Sequence, residues 1–197
     1  MNRSIVDRLV SYIGAVMGVA LLVASGLLFY AHGYVHGQVT DQLREQQITF
    51  PAAGTKAITS LPAADQTEIN RYAGQALVNG DQAKAFADHY IKVHLGEVAN
   101  GQTYSQVSSK ALANPTDEKL AGQVQTLFRG ETLRGLLLNA YAFDTMAKVA
   151  LIAAWVSLVG GITLLALSIL GLVHARRPSR DLPSAPAATE TQPAPVG

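Results

Sequence analysis

Residues 9–31 read LVSYIGAVMGVALLVASGLLFYA, twenty-three positions without an Asp, Glu, Lys or Arg. A bilayer core about 30 Å thick needs roughly 20 apolar residues in helical form, at 1.5 Å rise each. This run meets that length. A second uncharged run, VALIAAWVSLVGGITLLALSILGLV at 149–173, meets it again. Backbone amides find no water in hydrocarbon, so each run satisfies its own hydrogen bonds as a helix. The chain therefore reads as an all-α membrane protein: a two-span transmembrane helical hairpin with an extracytoplasmic helical-bundle insert. Its expected divisions are 1–8 (cytoplasmic N-terminus), 9–31 (span), 32–148 (outer domain), 149–173 (span) and 174–197 (disordered cytoplasmic tail).

The remaining composition agrees with this division. Of 197 residues, 49% are hydrophobic and 15% charged, too apolar for an ordinary soluble domain of this length. Net charge is +1, with no basic cluster and no nucleic-acid motif. There is no cysteine, which excludes disulfides, thiolate metal sites and cysteine nucleophiles.

The first run also has features of a secretory signal: Arg3 and Arg8 precede it, and Ala24–Ser25–Gly26 resembles a cleavage site. Apolar residues continue past that site to Tyr30, longer than the usual h-region of about 7–15 residues, so the run is read as a retained span. Cytoplasmic flanks collect Lys and Arg. Arg3 and Arg8 before the first span, with Arg176, Arg177 and Arg180 after the second, place both termini in the cytoplasm of a cell-membrane protein.

Small residues mark one face of each span: Ser11, Gly14, Gly18 and Ser25 in the first, and Ala153, Ser157, Gly160 or Gly161, Ser168 and Gly171 in the second. Lipid supplies no hydrophobic drive for helix association, so close approach through small residues must supply it. Pairing of the two spans within one chain uses both faces; a homodimer through them is the alternative. Tyr12, Tyr30, Tyr34 and Trp155 are interface-anchor candidates. The spans hold no ionisable residue of the kind that marks a proton or ion pathway.

Between the spans, Val35, Val39 and Leu43 carry the first helix on to about Gln47, although Gly33 and Gly37 weaken it. Pro51 and Gly54 open a loop expected to last to Pro62. Helices are then expected over 64–79, over 81–99 with Asp81 as cap, and over 103–113 with Thr103 as cap. A final helix, capped by Asn114 with Pro115 in its first position, runs into the second span. Its apolar stripe is Leu120, Val124, Leu127, Leu133, Leu136, Leu137 and Ala140, with Gly130 and Gly135 as possible bends. The 81–99 stripe is Ala83, Phe86, Ala87, Tyr90, Val93 and Val98, with Tyr90 and Tyr104 closing the core. Ten basic and eleven acidic residues, well mixed over 41–148, suit a solvated exterior.

Candidate chemistry is sparse. His32 and His36 stand four apart on one helical face, and His94 shares a face with Glu97. A zinc site needs three or four converging ligands, so these histidines are weak metal candidates and no cofactor is assigned. There is no nucleophile elbow, phosphate loop, zinc-protease motif or dinucleotide fingerprint. The tail HARRPSRDLPSAPAATETQPAPVG holds five of eight prolines and cannot build a core.

The run FADHYIKVHLGEVANGQTYSQV (86–107), joined to LFRGETLRGLLLNAYAF (127–143), resembles an uncharacterised family of two-span actinobacterial membrane proteins. The resemblance extends from the first span to His174 and implies an extracytoplasmic insert. Some of those proteins carry the label aromatic ring-opening dioxygenase, an activity that requires convergent metal ligands. The expected function is a non-enzymatic accessory or scaffold subunit whose outer domain binds an envelope component or membrane partner. The alternatives are a sensor-like ligand-binding module that signals through a partner, and a metal-dependent enzyme.

Overall fold

The computed structural model describes residues 3–175. Arg176, Arg177, Arg180 and the remainder of the expected tail lie outside the described residues. So does the side chain of Arg3.

Among the described residues every regular element is helical. Two of the helices are long: α1, Arg3–Glu45, and α7, Glu118–Ala175. Each contains a stretch long and apolar enough to cross a membrane, and only 11% of the most apolar window of either is buried. The core helix of a soluble protein would be mostly buried. Here the apolar side chains point outward, as lipid-facing ones do. α1 runs through Gly33 and Gly37 without interruption, and α7 likewise through Gly130 and Gly135.

The chain forms two compact units. The first comprises residues 1–20 and 160–197, of which 3–20 and 160–175 are described; it consists of one end of α1 beside one end of α7. The second comprises residues 21–159 and contains five shorter helices: α2 (Lys56–Thr59), α3 (Ala63–Asn70), α4 (Gly80–Phe86), α5 (Lys92–Val98) and α6 (Tyr104–Ala113). All five contribute to one core with α1 and α7. Val39 and Leu43 come from α1, Ile58 from α2, Ile69 from α3, Phe86 from α4, Leu95 from α5, Val107 from α6, and Leu127 and Leu137 from α7. Phe50 is buried in this core, edge-on to Phe86 at 5.2 Å. Burying one such side chain contributes about 1.5–3 kcal/mol.

Several local expectations are corrected. The stretch 51–62 is not all loop, because α2 forms inside it and buries Ile58. The helix expected over 64–79 ends at Asn70. The chain then turns at Gly74 (φ +73°) and runs antiparallel to residues 48–51. Phe50 N–H donates to Gln75 O at 2.9 Å, Leu77 N–H to Ile48 O at 2.9 Å and Gly74 N–H to Pro51 O at 3.2 Å. These non-local bonds satisfy backbone that a longer helix would have satisfied internally. Asn79, not Asp81, caps α4, its side chain accepting from Gln82 N–H at 2.9 Å. Asp117, not Asn114, caps α7, accepting from Leu120 N–H at 3.0 Å. Thr103 caps α6 in a reciprocal box with Gln106, as its sequence indicates.

Between α4 and α5 lies one π-helical turn, Ala87–Ile91. It accounts for a buried row spaced by four: Ala83, Ala87, Ile91, Leu95 and Ala99. In an unbroken α-helix each four-residue step overshoots a full turn by roughly 40°. The π turn is underwound and absorbs that drift. Ile91 and Leu95 therefore replace Tyr90, Val93 and Val98 as the deeply buried members; the latter three are half-buried. Tyr104 is exposed and packs on Phe128 at 5.9 Å, outside the core. Leu133 and Leu136 are exposed as well.

Candidate functional site

In the two long apolar stretches, the small residues lie at close approaches between α1 and α7 of the same chain. A methyl group at Gly14 would stand 2.6 Å from Ser168 Oγ; at Gly18 it would stand 2.8 Å from Leu165 Cγ and 3.1 Å from the Gly161 carbonyl. Gly171 meets the Ser11 hydroxyl in the same way. In the second unit, Ser25 donates from Oγ to the Ala154 carbonyl at 2.9 Å, fully shielded from solvent. Gly161, rather than Gly160, is the buried member of its pair, and Ser157 and Gly160 are half-buried.

The histidines are held singly. His32 Nδ1–H donates to the Ala147 carbonyl at 2.9 Å, and its ring lies 5.7 Å from that of His36, nearly parallel. His36 Nδ1 meets Asp144 Oδ1 at 2.8 Å. His94 Nδ1–H donates to its own helix at Tyr90 O, 2.8 Å, and its ring packs on Tyr90. His89 Nδ1 pairs with Asp65 Oδ1 at 2.7 Å. Among the described residues no three His, Asp or Glu side chains converge on a common point that could hold a metal ion.

Asp144 is the most buried charged residue described, with 1% of it exposed. Lys148 Nζ lies 3.1 Å from its Oδ2 as an ion pair, without the alignment of a hydrogen bond, and 2.7 Å from Asp81 Oδ2. Burial pushes the Asp144 carboxyl up. The hydrogen bond from His36 and the contact and charge of Lys148 outweigh it and hold the group below the usual carboxylate range. Its bond to Asp81, with the second contribution of Asp144, holds Lys148 above the ordinary lysine value. Asp144 is not among the residues singled out from the sequence, although it is the only charged residue between Arg134 and Lys148. Its partner His36 lies 108 residues away in sequence, and only the fold brings the two together.

Asp81 also belongs to the rim of a polar pocket of about 180 Å³, with Glu68, Tyr72, Lys84, Ala85, His89 and Tyr141. Asp65 orients His89 there, so in the neutral ring Nε2 is left as the acceptor. Lys84 bridges to Asp88 Oδ2 at 2.7 Å and stands 5.6 Å from the Tyr141 ring centre. Arg134 donates to the other Asp88 oxygen at 3.0 Å. Burial raises the Asp88 carboxyl, but hydrogen bonds from Lys84 and Arg134 more than offset that and lower it overall.

A groove of about 260 Å³ runs between α1 and α7, lined by Val39, Gln42, Leu43 and Gln46 on one side and by Leu133, Leu136, Leu137, Asn139, Ala140 and Phe143 on the other. None of these ten residues is charged. Leu136 is 61% and Phe143 55% exposed.

Comparison with protein-family models, with curated proteins and with solved structures returns no match. The polar pocket can hold a small polar molecule through a fixed imidazole, carboxylates and phenols. The groove can take an apolar helix.

Proposed function

We propose that this chain is a non-enzymatic two-span membrane protein, an accessory or scaffold subunit of the cell membrane. Both termini are cytoplasmic, and the 32–148 segment is an extracytoplasmic helical domain that binds a membrane partner or envelope component. The resemblance to two-span actinobacterial membrane proteins supports this reading. The observation that carries it is the exposed, uncharged groove with Leu133, Leu136 and Phe143 along its edge. Exposed apolar surface gathered in one place marks a protein contact far more often than isolated apolar residues do.

Purification of the full chain in mild detergent, followed by mass spectrometry, tests the proposal. A stoichiometric companion, whether a different protein or further copies of this chain, is expected with the wild type and is lost on Leu136→Asp. Loss must occur while membrane insertion is retained; a chain that is monomeric and companionless from the outset overturns the reading. Orientation is tested with impermeant thiol reagents. They should label Asn100→Cys and not Ser179→Cys in intact cells.

The polar pocket supports a second reading, a sensor-like module that signals through its partner. Asp65 and His89 come from α3 and from the π turn, and they orient one ring towards a small polar cavity. A panel of amino acids, organic amines and phosphates should then contain a compound that raises the melting temperature of the wild type but not of His89→Ala. A flat response across the panel in both proteins counts against it.

A further inference from the structure

The groove-edge residues of α7 form a continuous seam. Leu133, Leu136, Ala140 and Phe143 step by three, four and three, the alternation of a coiled-coil seam. Counted along α7 from residue 149, where the uncharged run begins, Leu136 stands about 20 Å and Leu133 about 24 Å outward, at 1.5 Å per residue. Hydrocarbon does not reach that far, so these side chains face water unless protein covers them.

Two copies inserted in one bilayer share orientation and depth. Their twofold axis lies along the membrane normal, and each residue of α7 is level with the same residue of its counterpart. A seam on α7 is therefore self-complementary in register, Leu136 to Leu136 and Phe143 to Phe143, as an isologous contact requires. The absence of charge from the groove removes the like-charge repulsion that a twofold contact otherwise creates. The small-residue faces at Gly14 and Gly18, the other basis for association, already meet α7 of their own chain. We infer that the occupant is a second copy: the protein is a parallel homodimer, α7 against α7, sealed above the bilayer. This inference rests on the reading that the groove docks protein and adds the identity of the partner.

The chain has no native cysteine, so single replacements report without background. Leu136→Cys and Ala142→Cys are compared in the full chain in native membranes under mild oxidation. Residue 142 is exposed on α7 but turned about 120° away, at 100° per residue. Leu136→Cys should give a disulfide-linked dimer at least fivefold more abundant than Ala142→Cys. Equal yields at the two positions overturn the inference, because they report collision and not a seam. Thiol-reactive bifunctional reagents applied to Leu133→Cys, Leu136→Cys and Phe143→Cys separate the remaining outcomes. A link to a different protein keeps the docking groove and refutes the second copy. No link to any protein refutes both.

Discussion

Asp144 and Gly80 occupy one tight contact: a methyl group at Gly80 would stand 2.6 Å from Asp144 Cβ and 2.8 Å from its Oδ2. The buried carboxylate reaches His36 and Lys148 only because the first residue of α4 has no side chain. Asp144 Cβ is tied to the α7 backbone and cannot swing away. Gly80→Ala should therefore cost about 1–3 kcal/mol, the range for overpacking a filled site. Gly135→Ala, a helical position with nothing near its Cβ, should instead stabilise by about 1 kcal/mol. Thermal melting of the full chain in detergent compares the two, and a Gly80→Ala protein as stable as wild type would contradict this packing.

Stability should fall at both extremes of pH. The Asp144 and Asp88 carboxyls lie below their usual values in the folded protein. Their contribution is therefore present above the unfolded carboxylate pKa, about 3.9, and is lost as pH falls through the lower folded values. Lys148 and Lys84 lie above theirs. Their contribution is present below about 10.4 and is lost as pH rises through the higher folded values. A melting curve against pH should show a plateau between these limits, and Asp144→Asn should lower the plateau and flatten its acid side. An unchanged acid limb in Asp144→Asn combined with Asp88→Asn would assign it to other carboxylates.

Leu95 lies directly against the backbone of α7 at Gly130. Gly130→Ala should destabilise by about 1–3 kcal/mol, and Leu95→Ala by about 2–5 kcal/mol. The double variant should cost less than the sum, because each change partly fills or empties the space created by the other. Strict additivity in a double-mutant cycle would mean that the two residues do not touch.

In the spans, Gly18 and Gly26 provide an internal comparison. Gly18→Ile would drive a side chain into Leu165 and the Gly161 carbonyl, whereas Gly26 has nothing near it. Crosslinking between cysteines placed at residues 14 and 168 should weaken severalfold in Gly18→Ile and remain unchanged in Gly26→Ile. Equal loss in both variants would indicate that bulk anywhere on α1, and not contact with α7, controls the pairing.

The two long helices, the continuation of the first to within two residues of Gln47, and the Thr103 cap were legible in the sequence. Each depends on local quantities: the length of an uncharged run, the helical period, and a side chain reaching its own backbone. The same holds for the suspicion attached to small residues in the spans. Only the tertiary structure decided where α3 stops, because residues 74–77 take their hydrogen bonds from residues 48–51. Nor does any period in the sequence reveal the π turn that keeps Ala83, Ala87, Ile91, Leu95 and Ala99 on one face. The partners of His36, His89 and Asp144, and the exposure of Leu136, depend on which helices become neighbours. A heptad row looks the same in sequence whether its face is covered by the same chain or left open, since periodicity records a face and not its occupant.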